Sequence, residues 1–114
     1  ICNPQYWLYL KSKENGSFKM TGCTAGITRF HIFPNGDVAP CAYLPIKAGN
    51  LREARFSEIL KTSEVFRKLR NRELNGNCGV CKHRMECGGC RSRAYGFSGD
   101  YLGEDPICGW FEVE

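Results

Sequence analysis

The chain has 114 residues, a length that suits one domain with a modest core, and its 42% hydrophobic and 25% charged residues are ordinary for a soluble globular protein. It contains no signal peptide and no apolar run of about eighteen residues, so it favours neither secretion nor a membrane span. The net charge of +4 indicates a solvated basic surface, since no basic repeat interleaved with aromatic residues points to nucleic acid.

Eight cysteines are the unusual feature of the composition. An even number would permit a disulfide framework in a secreted protein, and paired cysteines would permit a zinc-stabilised module that binds protein or nucleic acid. We favour thiolate ligation of iron–sulfur or another metal in the cytoplasm, because nothing in the sequence supports secretion. Because the chain begins at Ile1 rather than Met, we expect it to be a fragment of a longer protein.

Four of the cysteines are concentrated in residues 78–90, with the spacing C-x2-C-x5-C-x2-C. The two-residue gap lets the backbone turn and direct both sulfurs of a pair to one metal centre. Zinc ribbons separate their pairs by about 15–20 residues, so the shorter gap favours an iron–sulfur loop. Gly88 and Gly89 support this interpretation, since a backbone bent tightly around a cluster needs residues without Cβ.

The N-terminal residues predict a short helix over 4–14. Asn3 is suited to the N-cap and Pro4 to the first helical position, and Gly16 is well placed to end the helix. The aromatic residues and leucine of this segment are expected to pack in a core or an interface. They are Tyr6, Trp7, Tyr9 and Leu10.

A β-hairpin is predicted next. The β-branched and aromatic residues of 27–33 favour a strand, and Asn35-Gly36 is typical of a type I′ turn with positive φ at both central positions. Cys23 and Cys41 flank this hairpin, which can bring their sulfurs to one site. His31 lies in the first strand, where a structural or surface role is more common than ligation.

Helical spacing of apolar residues then predicts helix over 56–72, with a break near Thr62 and with Ser57 and Ser63 as N-cap candidates. Residues 43–50 and 100–106 are expected to be irregular, and residues 91–95 to form a helix that stops at Gly96 or Gly99. The predicted fold is a small α+β domain over 1–114: a hairpin, short helices and irregular cysteine-bearing loops wrapped around metal clusters.

The order of the cysteines and one glycine, C-x12-G-x4-C, gap, C-x2-C-x5-C-x2-C, gap, C, resembles the SPASM domain. This domain is the auxiliary-cluster module of many radical S-adenosylmethionine (radical SAM) enzymes. The resemblance spans residues 23–108 and includes the segments 34–38 and 49–51. The last gap of the dense loop has two residues where the family more often has three, so the ligand geometry at Cys90 differs from the common pattern.

A narrower resemblance rests on three segments, 22–26, 87–95 and 99–102. They are similar to the branch that acts on tetrapyrroles, the alternative haem and haem d1 maturases. Peptide-modifying maturases share the same module. The implied substrate is therefore a tetrapyrrole or a peptide.

The SPASM resemblance implies two [4Fe–4S] clusters as cofactors. The ligands of the first cluster would be Cys23, Cys41 and Cys90, with either Cys2 or an open iron site in the fourth position. The ligands of the second cluster would be Cys78, Cys81, Cys87 and Cys108.

The chain lacks the C-x3-C-x2-C spacing that binds the radical-initiating cluster. S-adenosylmethionine would therefore bind only in a barrel domain of the parent oxidoreductase, and this chain would transfer electrons or dock substrate for it. No catalytic residue is predicted. Arg91 and Arg93 follow the last cysteine of the loop, where they would either donate to cluster sulfur, meet substrate carboxylates or lie in solvent.

Overall fold

The computed structural model describes Pro4, Tyr9 and residues 22–109. Pro4 and Tyr9 are helical, but Cys2 and the rest of the predicted N-terminal helix lie outside the described residues. The chain divides into two compact units. The sheet unit is Thr24–Glu73, and the cysteine unit is Ile1–Cys23 together with Leu74–Glu114.

The sheet unit contains three short antiparallel strands in the order β1-β2-β3. They are β1 (His31–Ile32), β2 (Asp37–Ala39) and β3 (Gly49–Asn50). His31 pairs with Ala39 across the predicted hairpin, which is confirmed. The third strand was not predicted, because Gly-Asn has low strand propensity and is recruited by pairing with β2.

The hairpin turn differs from the predicted type I′. Phe33 accepts a hydrogen bond from the Gly36 N–H (2.9 Å), which places Pro34 and Asn35 at the central positions. Among the described residues of this turn only Gly36 has a positive φ, of 92°. Proline fixes φ near −65°, which suits the first central position of a type I or II turn. Pro34 therefore overrides the Asn-Gly signal and moves the turn back by one residue.

The first strand is also shorter than the predicted 27–33. The carbonyl of Thr24 accepts hydrogen bonds from the N–H groups of Ile27, Thr28 and Arg29, at 3.0–3.1 Å. These bonds close a turn over residues that have high strand propensity. Local hydrogen bonding to one carbonyl therefore determines the backbone here.

Two helices follow, α1 (Phe56–Thr62) and α2 (Glu64–Arg70), and they confirm the predicted break near Thr62. Ser63 separates them in an extended conformation (φ −69°, ψ 122°). The N-cap prediction for Ser57 is wrong, because Ser57 lies inside α1 and Arg55 occupies the N-cap position. Ser63 is the N-cap residue of α2, as predicted, although its side chain makes no capping hydrogen bond.

The core of the sheet unit lies between the sheet and these helices. Val38, Ile59 and Phe66 form its centre, and each is at most 4% exposed. The Phe30 ring packs edge-to-face on Phe56 and on Phe66, with centroids 5.2 Å apart in both pairs. Such pairs contribute about 0.5–1.5 kcal/mol beyond the apolar area they bury.

The described part of the cysteine unit contains α3 (Gly76–Val80) and α4 (Arg91–Ser98). Gly99 caps α4 in the left-handed region (φ 78°), as predicted. The one-turn helix α3 was not predicted, since Gly76-Asn77 reads as a helix end in sequence. Short helices and a small sheet confirm the α+β class. Between residues 22 and 109, no helix has the length and apolar character needed to cross a membrane.

Phe66→Ala should lower the free energy of unfolding by about 3–5 kcal/mol, because it leaves a cavity against Val38 and Ile59 and removes an aromatic pair. Tyr43→Ala is the matched control, since Tyr43 is 77% exposed in the same unit. Its effect should stay within about 0.5 kcal/mol. Urea denaturation monitored by circular dichroism measures both, and equal losses would contradict this account of the core.

Candidate metal centre

Four cysteines of the cysteine unit line one cavity of about 140 Å³. They are Cys78, Cys81, Cys87 and Cys108. Cys78 is supplied by α3, and Cys81 and Cys87 by the loop that follows it. Cys108 comes from the segment after α4. These are the four residues that the family resemblance assigns to the second cluster.

Backbone N–H groups point at three of these sulfurs. Asp105 donates to Cys78 Sγ (3.3 Å), His83 to Cys81 Sγ (3.4 Å) and Gly89 to Cys87 Sγ (3.4 Å). Hydrogen bonds of this kind stabilise a thiolate and tune the potential of an iron–sulfur cluster. The local backbone is therefore arranged for sulfur that carries negative charge.

The thiols are close enough to influence one another. The pKa of Cys87 is raised to about 11, chiefly by burial and further by the negative charges of the other three cysteines, while the Gly89 N–H opposes the shift. Without a metal, this thiol holds its proton at neutral pH. Binding of iron to this sulfur would release the proton, and the positive charge of iron would take its place.

The cavity has room for more than a single metal ion. Zinc–sulfur bonds of about 2.3 Å bring four thiolates into mutual contact around the ion and leave no room for water. A volume of 140 Å³ is several times the share of one water molecule, about 30 Å³. Among the described residues, no three His, Cys, Asp or Glu side chains are placed to hold one metal ion.

Gly89 lets the backbone approach the cavity closely. Its φ is +61°, and a Cβ built on it would lie 2.7 Å from Arg91 Nη2 and 3.0 Å from Cys78 Sγ. A side chain here would be both strained and in collision with a proposed ligand. Gly89, which was predicted to allow a tight bend, is therefore required because Arg91 and Cys78 leave no space for a side chain.

The cysteines assigned to the first cluster are divided between the units. In the cysteine unit, residues 22–23 pair with the dense loop, and the Cys23 N–H donates to the Cys87 carbonyl (2.9 Å). The pKa of Cys90 is raised, chiefly by burial and partly by the nearby Cys23, although the backbone N–H and the charge of Arg93 oppose this. Cys41 is buried in the sheet unit, and Cys2 lies outside the described residues.

Asp105 connects the segments that carry the ligands, a role that was not predicted. Its side chain is fully buried and accepts hydrogen bonds from the Cys90 N–H (2.9 Å) and from Arg93 Nε (3.0 Å) and Nη2 (2.7 Å). Its own N–H donates to Cys78 Sγ, and its carbonyl accepts from the Cys108 N–H. The only sequence signal was an Asp-Pro pair shortly before Cys108, which also occurs in ordinary turns.

The two arginines after Cys90 have different environments. Arg93 forms a bidentate ion pair with Asp105, and its side chain is 29% exposed. Arg91 is 0% exposed, so placing it in solvent is wrong. Its Nη1 donates to the carbonyls of Tyr101 and Gly103, and these bonds attach the side chain to the segment before Asp105.

Gly89→Ala should reduce the iron and sulfide that the reconstituted chain holds, because the new methyl group would displace Cys78 Sγ or Arg91. Gly96→Ala is the matched control, since nothing lies within 4 Å of a Cβ at this position in α4. That change should keep the iron content and stabilise the helix by about 0.5–1 kcal/mol. Full iron in Gly89→Ala would contradict the proposed contact.

Asp105→Ala should destabilise the reconstituted chain by about 2–3 kcal/mol, since it leaves the Cys90 N–H and the Arg93 guanidinium without their acceptor. Glu104→Ala removes an exposed carboxylate from the adjacent position and should cost under about 0.5 kcal/mol. Anaerobic urea denaturation compares the two. A similar midpoint for both variants would rule out a connecting role for Asp105.

Comparison with known proteins supports the interpretation of these cysteines as part of an iron–sulfur binding domain. Residues 23–90 match the family model SPASM, described as an iron–sulfur cluster-binding domain. The AdoMet-dependent heme synthase of Methanosarcina barkeri is 43% identical over 94% of this chain and 34% of its own length, and that of Nitratidesulfovibrio vulgaris is 39% identical over 96% and 33%. The mycofactocin maturase MftC of Mycobacterium tuberculosis is 39% identical over 75% and 23%.

The chain thus spans about a third of the length of the heme synthases that it matches. The family match covers more than half of the chain and includes six of the seven ordered cysteines. It confirms the resemblance drawn from their spacing. The chain belongs to the SPASM family of iron–sulfur cluster-binding domains.

Proposed function

We propose that this chain holds two [4Fe–4S] clusters and forms the auxiliary-cluster domain of a longer radical SAM maturase. The observation that carries the proposal is that Cys78, Cys81, Cys87 and Cys108 line one cavity, with backbone N–H groups directed at three of the sulfurs. When bound, such clusters supply one-electron redox chemistry.

The residues of the chain have distinct tasks in this proposal. The thiolates hold iron, and the N–H groups of residues 83, 89 and 105 stabilise charge on sulfur. Asp105 keeps the segments of Cys78, Cys90 and Cys108 in register. The clusters themselves would add stability to a unit whose described part buries few apolar side chains.

The proposed ligands of the first cluster come from both units. Cys23 and Cys90 lie close together in the cysteine unit, and Cys41 is included because of the family resemblance. Cys2 or an open iron site would complete this cluster. Substitution Cys2→Ser distinguishes the two, because only a ligand would alter the paramagnetic resonance of the first cluster when it is replaced.

We further propose a tetrapyrrole as the substrate of the whole protein and electron transfer or substrate docking as the task of this domain. The support is the coverage of the relatives: the heme synthases match 94–96% of the chain, whereas the mycofactocin maturase matches 75%. A peptide substrate is the alternative. The barrel that binds S-adenosylmethionine is proposed to lie in the same longer protein, in the reducing environment of the cytoplasm.

Anaerobic reconstitution should give about eight irons and eight sulfides per chain, by the stoichiometry of two cubane clusters. Cys78→Ser and Cys41→Ser should each lose the iron of one cluster, and the double variant should lose the iron of both. Iron, acid-labile sulfide and zinc are measured together. A chain that retains one or two zinc ions and no sulfide would instead support the zinc-stabilised module and overturn the proposal.

A further inference from the structure

Arg91 is a buried cation that has no acidic partner among the described residues. Its side chain is 0% exposed, and Nη1 donates to the carbonyls of Tyr101 (3.2 Å) and Gly103 (2.6 Å). Within residues 22–109, Nε and Nη2 are buried without an acceptor. Burying a guanidinium costs several kcal/mol unless an anion compensates it. Negative charge next to this side chain would offset that cost.

The free end of Arg91 lies beside the cavity of the four cysteines. Nη2 and Cys78 Sγ are both within 3.0 Å of the point where a Cβ of Gly89 would stand. Gly89 and Cys78 line the cavity. The hydrogen bonds of Nη1 to two carbonyls hold the Arg91 side chain in place, whereas Nη2 has no hydrogen-bond acceptor within residues 22–109.

Asp105 is an acidic residue close to Arg91, but its carboxylate makes no ion pair with Arg91 and is bonded to other donors. Its β-carbon is also 3.0 Å from the Gly89 point, yet its two carboxylate oxygens accept from Arg93 and from the Cys90 N–H. Asp105 and Arg93 neutralise each other as an ion pair. Arg91 thus places a positive charge close to Cys78 that no ion pair within residues 22–109 neutralises.

We propose that Arg91 is the counter-cation of the cluster held by Cys78, Cys81, Cys87 and Cys108, a proposal that rests on the cluster-binding function above. Its Nη2 and Cys78 Sγ both lie next to Gly89, which lines the cavity. A cluster with four thiolates is anionic and gains a further negative charge when it is reduced by one electron. Arg91 stabilises that reduced state and raises the midpoint potential.

Potentiometric titration of the reconstituted full chain tests the effect of the charge. The signal to follow by electron paramagnetic resonance is the one that Cys78→Ser removes. Arg91→Met should make reduction at least tenfold less favourable, a shift of about 59 mV to more negative potential for a one-electron couple. Lys82→Met is the matched control. It removes the same charge from an exposed position beside Cys81, where water screens it, and should shift the potential less.

A second measurement leaves the Arg91 side chain intact, so it can be made even if the Arg91→Met variant fails to bind iron. Pulsed resonance of the reduced wild-type chain, labelled with arginine carrying ¹⁵N in the guanidinium group, should show nitrogen coupled to the cluster. The coupling should disappear in Arg91→Lys, whose potential should remain near that of the wild type. It should persist in Arg84→Lys, since Arg84 also lines the cavity but has no role in the proposal.

The outcomes separate this inference from the proposed function. Normal iron and sulfide content with no nitrogen coupling would show that Arg91 is structural only, and the cluster-binding proposal would stand. Equal potential shifts in Arg91→Met and Lys82→Met would also overturn the counter-cation role. A reconstituted chain that holds no cluster would overturn both proposals.

Discussion

The buried carboxylate of Asp105 is the interaction on which the cysteine unit depends. One residue accepts the Cys90 N–H, forms an ion pair with Arg93 and donates its own N–H to Cys78 Sγ. Its carbonyl also accepts from the Cys108 N–H. A buried charge is costly unless every lone pair finds a donor, so the segments that supply these donors must meet at one place. This requirement brings cysteines that are far apart in sequence into one cavity.

The two units are stabilised in different ways. In the sheet unit, aromatic and aliphatic side chains around Phe66 form an ordinary hydrophobic core. In the described part of the cysteine unit, the buried apolar side chains other than cysteine are Pro4, Ala94 and Leu102. Around these few side chains, polar contacts such as those of Asp105 add stability, and the proposed metal–thiolate bonds would add more. Folding and cluster insertion are therefore expected to be coupled in this unit.

The sequence predicted features that depend on local chemistry. Gly99 ends α4 because a left-handed cap suits glycine, and the break between α1 and α2 followed from helical spacing. Predictions failed where a neighbouring residue intervened: Pro34 displaced the predicted turn, and hydrogen bonds to the Thr24 carbonyl shortened the first strand. Strand β3 was missed because its two residues have no strand propensity and depend on their partner strand.

The spacing of the cysteines by itself indicated the family, because residue type and short-range spacing are properties of the chain. Only the tertiary structure decided which other groups surround the cavity. Arg91 and Arg93 are alike in sequence, yet one is fully buried beside Gly89 and the other is paired with Asp105. Burial and charge pairing depend on segments that are distant along the chain, and such contacts leave no periodic signal in the sequence.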